Sequence, residues 1–320
     1  MTTLTFAQIS DIHISALGDH DEMLSGQAAE FLTKIVAGLK AMEDLAFVLF
    51  TGDLFDTASY QELDRFQTAV KLLPKPYFVI PGNHDRRPPE SSEGLTRHQF
   101  ARYFNPQVEA RPTASEAQVG YWSIGLNPKV QLIGLDSVRD EDWDGVIDTL
   151  QLEWLRHELG THRDKLVILA VHHPLHRLAP IDDLPRWKKF VCNNGPEVIA
   201  LLDDNPQVKI VLTGHHHLTK VDRMGPRIHF ACPAVALYPC AYRTLRLSQQ
   251  DGHTWHLTWQ TVPAADEKAI AKACHQMLTT WTNQGFEPDF IETHLKLAWG
   301  SENDRHGQAV LSGLENRDSR

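Results

Sequence analysis

Five short stretches of this 320-residue chain carry side chains that can hold a divalent cation. They are Asp11-Ile12-His13, Gly52-Asp53-Leu54-Phe55-Asp56, Gly82-Asn83-His84-Asp85, His172-His173-Pro174 and Gly214-His215-His216-His217. Carboxylate, imidazole and amide donors together suit iron, manganese, zinc or cobalt, and do not choose among them. No cysteine belongs to the set, which argues against a structural zinc site. Taken singly, each fragment is common: D-x-H and G-D-x-x-D arise by chance, and a histidine at a strand end is more often hydrogen-bonded or solvated than a ligand. Five in order, each following an apolar run, are another matter. The glycines before three of the sets permit tight turns and close backbone approach.

The elements that must position these residues are legible in outline. Apolar runs at 4–9, 45–50, 77–80, 130–135, 166–171 and 208–212 read as buried strands. Between them, 24–43, 60–73, 148–159 and 195–202 read as helices; the first carries Phe31, Leu32, Ile35, Val36 and Leu39 at helical spacing. Alternating strands and helices predict a layered α/β domain. All five donor sets then fall at the carboxyl ends of strands, the side of an open α/β sheet where ligands bind. Residues 86–125, rich in Pro, Arg and Ser, read as an insertion. The 227–261 region reads as strands, including 242–247 and 254–259 around the turn pair Asp251-Gly252. Helical patterns follow at 264–281 and 288–299, and the last twenty residues read as a loose polar tail. This predicts a catalytic domain over 1–262 and a helical extension with its tail over 263–320.

Bulk properties narrow the function. A formal charge of −10 gives no basic footprint for a nucleic-acid polymer. The four cysteines, Cys192, Cys232, Cys240 and Cys274, have no C-x-x-C spacing. No run is long enough to span a membrane and the N-terminus does not look like a signal peptide, so a cytoplasmic protein is expected.

The ordered set D-x-H, G-D-x-x-D, G-N-H-D, H-x-P and G-H-x-H resembles the calcineurin-like metallophosphoesterase superfamily. The stretches "LIGLDSV" (132–138), "DGVIDTLQLEWLRHEL" (144–159) and "YRTLRL" (242–247) resemble its branch of class III cyclic nucleotide phosphodiesterases and bacterial glycerophosphodiesterases. The resemblance implies a sandwich of β-sheets flanked by helices around two metal ions. It implies that Asp11, His13 and His217 hold the first metal, that Asp53 bridges both, and that Asn83, His172 and His215 hold the second. It places His84 beside the phosphate, as proton donor or charge stabiliser, with Asp85 holding its ring. His216 points elsewhere, Asp56 is a loop hydrogen-bonder, and Arg86 and Arg87 are expected as solvated loop arginines.

The implied reaction is attack on phosphorus by a water that a pair of cations has acidified. Here G-N-H-D stands where Ser/Thr protein phosphatases have G-N-H-E after an arginine. With the negative charge, this favours a small soluble phosphodiester, with 3′,5′-cyclic AMP as first guess. A glycerophosphodiester or a broad-specificity phosphoesterase is the alternative, and a non-catalytic scaffold is the reading from a different class. The apolar stripe Ile270, Ala273, Met277, Leu278 and Trp281 is expected either to pack on its own chain or to form a homo-oligomer contact.

Overall fold

The computed structural model describes residues 2–87, 91–105, 119–139, 142–185, 187–249 and 254–311. Two six-stranded sheets face each other, with helices on both outer faces. The first sheet runs β12-β11-β10-β1-β2-β3. Its strands are β1 (Thr2–Ile9), β2 (Leu45–Phe50), β3 (Tyr77–Val79), β10 (Ala241–Gln249), β11 (Trp255–Pro263) and β12 (His306–Leu311). The second runs β4-β5-β6-β7-β9-β8. Its strands are β4 (Trp122–Asn127), β5 (Val130–Gly134), β6 (Leu166–Ala170), β7 (Val208–Thr213), β8 (Lys220–Met224) and β9 (Arg227–Ala231). The turn pair Asp251-Gly252 and residues 312–320 lie outside the described residues.

Alternation along each strand sorts side chains into three cores. Leu4 and Phe6 of β1 point between the sheets to meet Leu132, Ile168 and Leu212. Ala7 and Ile9 point outward beneath α1 (Ala28–Lys40) and α2 (Tyr60–Val70). On the far face, α4 (Thr149–Thr161) and α5 (Gly195–Asp203) cover Val167, Leu169 and Val211. The helices begin where the sequence supplies caps. Ser59 accepts from Glu62 N while Glu62 accepts from Ser59 N, and Asp148 accepts from Gln151 N. In α1, Phe31, Leu32, Ile35, Val36 and Leu39 are all buried, as their spacing requires.

Two sequence expectations need correction. The 86–125 segment is not mere insertion: it holds α3 (Arg97–Phe104) and β4. Trp122 of β4 is fully buried between the sheets, and its Nε1 donates to Val79 O. The first part of the tail is not loose either. After α8 (Glu302–Arg305), β12 pairs antiparallel with β11 as an edge strand. One face of that strand is exposed, so it needs few apolar residues, and Leu311 is the buried one. The helices α6 (Glu267–Asn283) and α7 (Pro288–Trp299) bury Ala273, Met277, Trp281 and Ile291 in the first core of the same chain.

Candidate metal centre

Five strands deliver polar side chains to one rim. Asp11 and His13 follow β1, Asp53 follows β2, Asn83 and His84 follow β3, His172 follows β6, and His215 and His217 follow β7. Asp11, His13, Asp53 and His217 place ligand atoms within 4.8 Å of one another, and so do Asp53, His172 and His215. Asp53 is common to both groups. Its Oδ2 lies 3.7 Å from His13 Nε2 and 3.3 Å from His172 Nε2, while its Oδ1 accepts from His84 N at 2.8 Å.

The backbone is bent to achieve this. Asp11, His13, Asp53, His215 and His217 all have φ between 46° and 63°. Each non-glycine residue held there costs of order 1–3 kcal/mol. Cross-links offset the strain: Asp11 N donates to Gly52 O, His13 N to Asp53 O, and His215 N to the Asp11 carboxylate at 3.0 Å. Gly52, at φ 95°, lies so close to the His172 ring that any Cβ there would collide with it.

The donors fit a pair of cations. Asn83 Oδ1, His172 Nε2 and His215 Nε2 are buried without a hydrogen-bond partner. Orphaned acceptors of this kind are costly unless something positive meets them. The opposite nitrogen of His172, Nδ1, lies 2.7 Å from Thr51 O, a carbonyl that can only accept, so Nε2 is the atom turned toward Asp53 and the one a cation would take. Burial holds the imidazoles of His13 and His215 well below their usual range, in the neutral form that a cation requires. Burial alone would raise the Asp53 carboxyl, but His172 and His84 face it and hold it well below the usual carboxylate range. His172 is raised, against its burial, to about 9 by Asp53. The charge that holds a proton on Nε2 would equally hold a cation there.

His84 stands against this group, its ring centroid 4.7 Å from that of His13. Its Nδ1 lies 2.8 Å from Asp56 O, and its pKa is raised: burial opposes the shift, but the Asp53 charge and the Asp56 carbonyl favour the protonated ring and outweigh it. The expected contact from Asp85 to that ring is replaced by the Asp56 carbonyl. Asp85 instead accepts from Leu54 N, Phe55 N and Gly82 N, tying the β2 and β3 loops together. Burial and the nearby Asp53 charge push its carboxyl up to about 7. Arg86 is buried, not solvated, because it pairs with the buried Asp136. Arg87 stays on the surface, donating to Ser92 O. His216 is buried against Asp182. His173 is held by Ser137 Oγ and Trp143 O, and burial lowers it to about 3.

Sequence reasoning missed the aromatic wall of the site. The Phe190 ring lies 4.9 Å from His215, and Trp143 lies 6.0 Å from it. Trp143 lies in an irregular loop and Phe190 ends a single 3-10 turn, Trp187–Phe190, both too short for periodicity to place; their only signal is a large aromatic residue in a polar setting.

The calcineurin-like phosphoesterase profile matches residues 4–218, the span that contains every side chain just described. The chain belongs to the calcineurin-like phosphoesterase family. It is therefore a phosphoesterase by family, built on that family's αββα sandwich. It is 27% identical over 263 residues to a probable cyclic nucleotide phosphodiesterase of Synechococcus, covering 80% of this chain and 92% of that one. It is 32% identical over 214 residues to a probable glycerophosphodiester phosphodiesterase of Arcobacter nitrofigilis, covering 66% and 70%. The 3′,5′-cyclic adenosine monophosphate phosphodiesterase of Escherichia coli K12 is 24% identical over 88% of this chain and 91% of its own. A solved dimetal phosphatase from Danio rerio shares the fold, with TM-score 0.60 and 15% identity over 82% of this chain and 97% of that one. Among the described residues, no helix is long and apolar enough to cross a membrane.

Proposed function

We propose that this phosphoesterase hydrolyses a small soluble phosphodiester, with 3′,5′-cyclic AMP as the first candidate. Two divalent cations would be held by Asp11, His13, Asp53, Asn83, His172, His215 and His217. The observation that carries this reading is the position of Asp53 Oδ2, shared between the His13 group and the His172 group. A carboxylate so placed relieves the repulsion between two cations about 3.5–4 Å apart. When bound, such a pair supplies Lewis acidity toward phosphoryl oxygens and acidifies water. The protein's part is orientation and proton handling. His84 Nδ1–H donates to Asp56 O, and the raised pKa of the ring favours the imidazolium, whose Nε2–H would give the proton to the leaving alkoxide. A positioned general acid contributes about 10²–10⁴-fold. Asp85 keeps the loop beneath His84 in register through its three backbone amides. Phe190 and Trp143 cover His215 and limit water around it.

The cyclic-nucleotide names of the Synechococcus and Escherichia coli relatives support the choice of substrate. The Arcobacter relative favours a second reading, a glycerophosphodiester at the same site. The acidic balance of the chain, −10, speaks against a nucleic-acid polymer. Four free cysteines suit a reducing, cytoplasmic setting. A panel of cyclic AMP, cyclic GMP, glycerophosphocholine, bis(p-nitrophenyl) phosphate and p-nitrophenyl phosphate, run in Mn²⁺, tests the proposal. Turnover of cyclic AMP above the other diesters is expected. Preference for the monoester, or no turnover of any diester, would reject it.

A further inference from the structure

A second constellation of metal-binding side chains lies apart from the candidate centre. Asp222 of β8 and His229 of β9 are directly opposite each other in the antiparallel pair, and His229 Nδ1 lies 3.0 Å from Asp222 Oδ1. His176, in the loop that follows β6, brings its Nε2 to 3.0 Å from the other oxygen, Oδ2. The two imidazole rings are 5.0 Å apart. One ligand atom from each of the three residues lies within 4.8 Å of the others.

We infer that His176, Asp222 and His229 form a third cation site, which takes a zinc-like divalent ion. Two imidazoles and one carboxylate are the donor set of a three-ligand zinc site, with water completing a tetrahedron. Bonds of about 2.0–2.2 Å in that geometry separate ligand atoms by about 3.3–3.5 Å. The two 3.0 Å contacts run to different oxygens of Asp222, and one atom from each residue already lies within 4.8 Å of the others, so small side-chain rotations would bring the set to that spacing. Binding would exchange protons for the cation: His229 Nδ1 and His176 Nε2, which now donate to the Asp222 oxygens, would release those protons to the ion. Against its burial, Asp222 is held well below the usual carboxylate range by the two histidines that bond it. Burial lowers His229, so its ring is neutral. Arg243 contributes positive charge near His229, but its guanidinium is turned onto the carbonyls of Asp304 and Ala231.

The surroundings fit as well. His229 Nε2 lies 2.8 Å from Thr213 Oγ1, the type of support that fixes the ring of a metal-bound histidine. His176 and Asp222 are each about a quarter exposed, which gives an ion a way in from solvent. Occupancy would clamp β8, the edge strand of its sheet, to the loop leaving His172.

Metal counting decides the matter. The full-length chain is loaded with Zn²⁺, freed of loose ions by gel filtration and analysed by inductively coupled plasma mass spectrometry beside Asp222→Asn and His176→Gln. Three zinc ions per chain are expected in the parent and two in each variant. Two ions in all three proteins would overturn this site and leave the dinuclear centre standing. Equal counts of three would show that the third ion lies elsewhere and would also overturn it. Fewer than two in the parent would overturn both.

Discussion

At the scale of single residues, two substitutions separate holding a metal from moving a proton. Asp53→Ala is expected to lose the cation pair, because both donor groups lose their shared oxygen; metal analysis should find fewer than two ions and activity should fall at least about 100-fold. His84→Ala should keep both ions yet lower turnover about 10²–10⁴-fold, with metal content measured in the same sample. These donors were legible in the sequence because each is a polar residue placed abruptly after an apolar run, in a recognisable order. Their support was less legible. The sequence suggested a contact from Asp85 to His84, whereas three amides claim that carboxylate and a backbone carbonyl holds the ring. Main-chain partners leave no trace in side-chain types.

At the scale of elements, the aromatic column behind the site has a pH signature. Trp281 of α6 stacks near Trp187, Trp187 on Phe190, and Phe190 against His215, so the last helices brace the ligand loop. His294 of α7 is buried in this column, 4.3 Å from Trp281, and burial lowers it to about 3. The unfolded value is about 6.5, so stability from the neutral ring is complete above that pH and is lost as pH falls toward 3. About 2 kcal/mol should disappear between pH 7.5 and 5. His294→Phe should lack that share of acid sensitivity, as read by urea titration at the two pH values; equal losses in both proteins would contradict it. The six apolar strand runs of the sandwich were readable because burial on both faces demands continuous Val, Ile, Leu and Phe. Strand β12 was not, since an edge strand with one wet face looks like a tail, and Trp122 of β4 was obscured by the Pro-, Arg- and Ser-rich stretch that precedes it.

At the scale of the whole molecule, binding of the proposed metal pair would couple to folding. Loops distant in sequence meet only when both sheets are complete, and each bent donor residue costs free energy that the apo protein carries unrelieved. A ligand that binds only the native state stabilises it by about 2.7 kcal/mol at one hundred times its Kd. Chelation should therefore abolish activity and lower Tm by several degrees, and added Mn²⁺ should restore both, as calorimetry would record. The most direct measurement is anomalous diffraction from crystals loaded with Mn²⁺. A pair of peaks about 3.5–4 Å apart, with the Asp53 carboxylate between them, is the predicted result. A lone peak on the rim of the sheets, or a pair that Asp53 does not touch, would contradict the account.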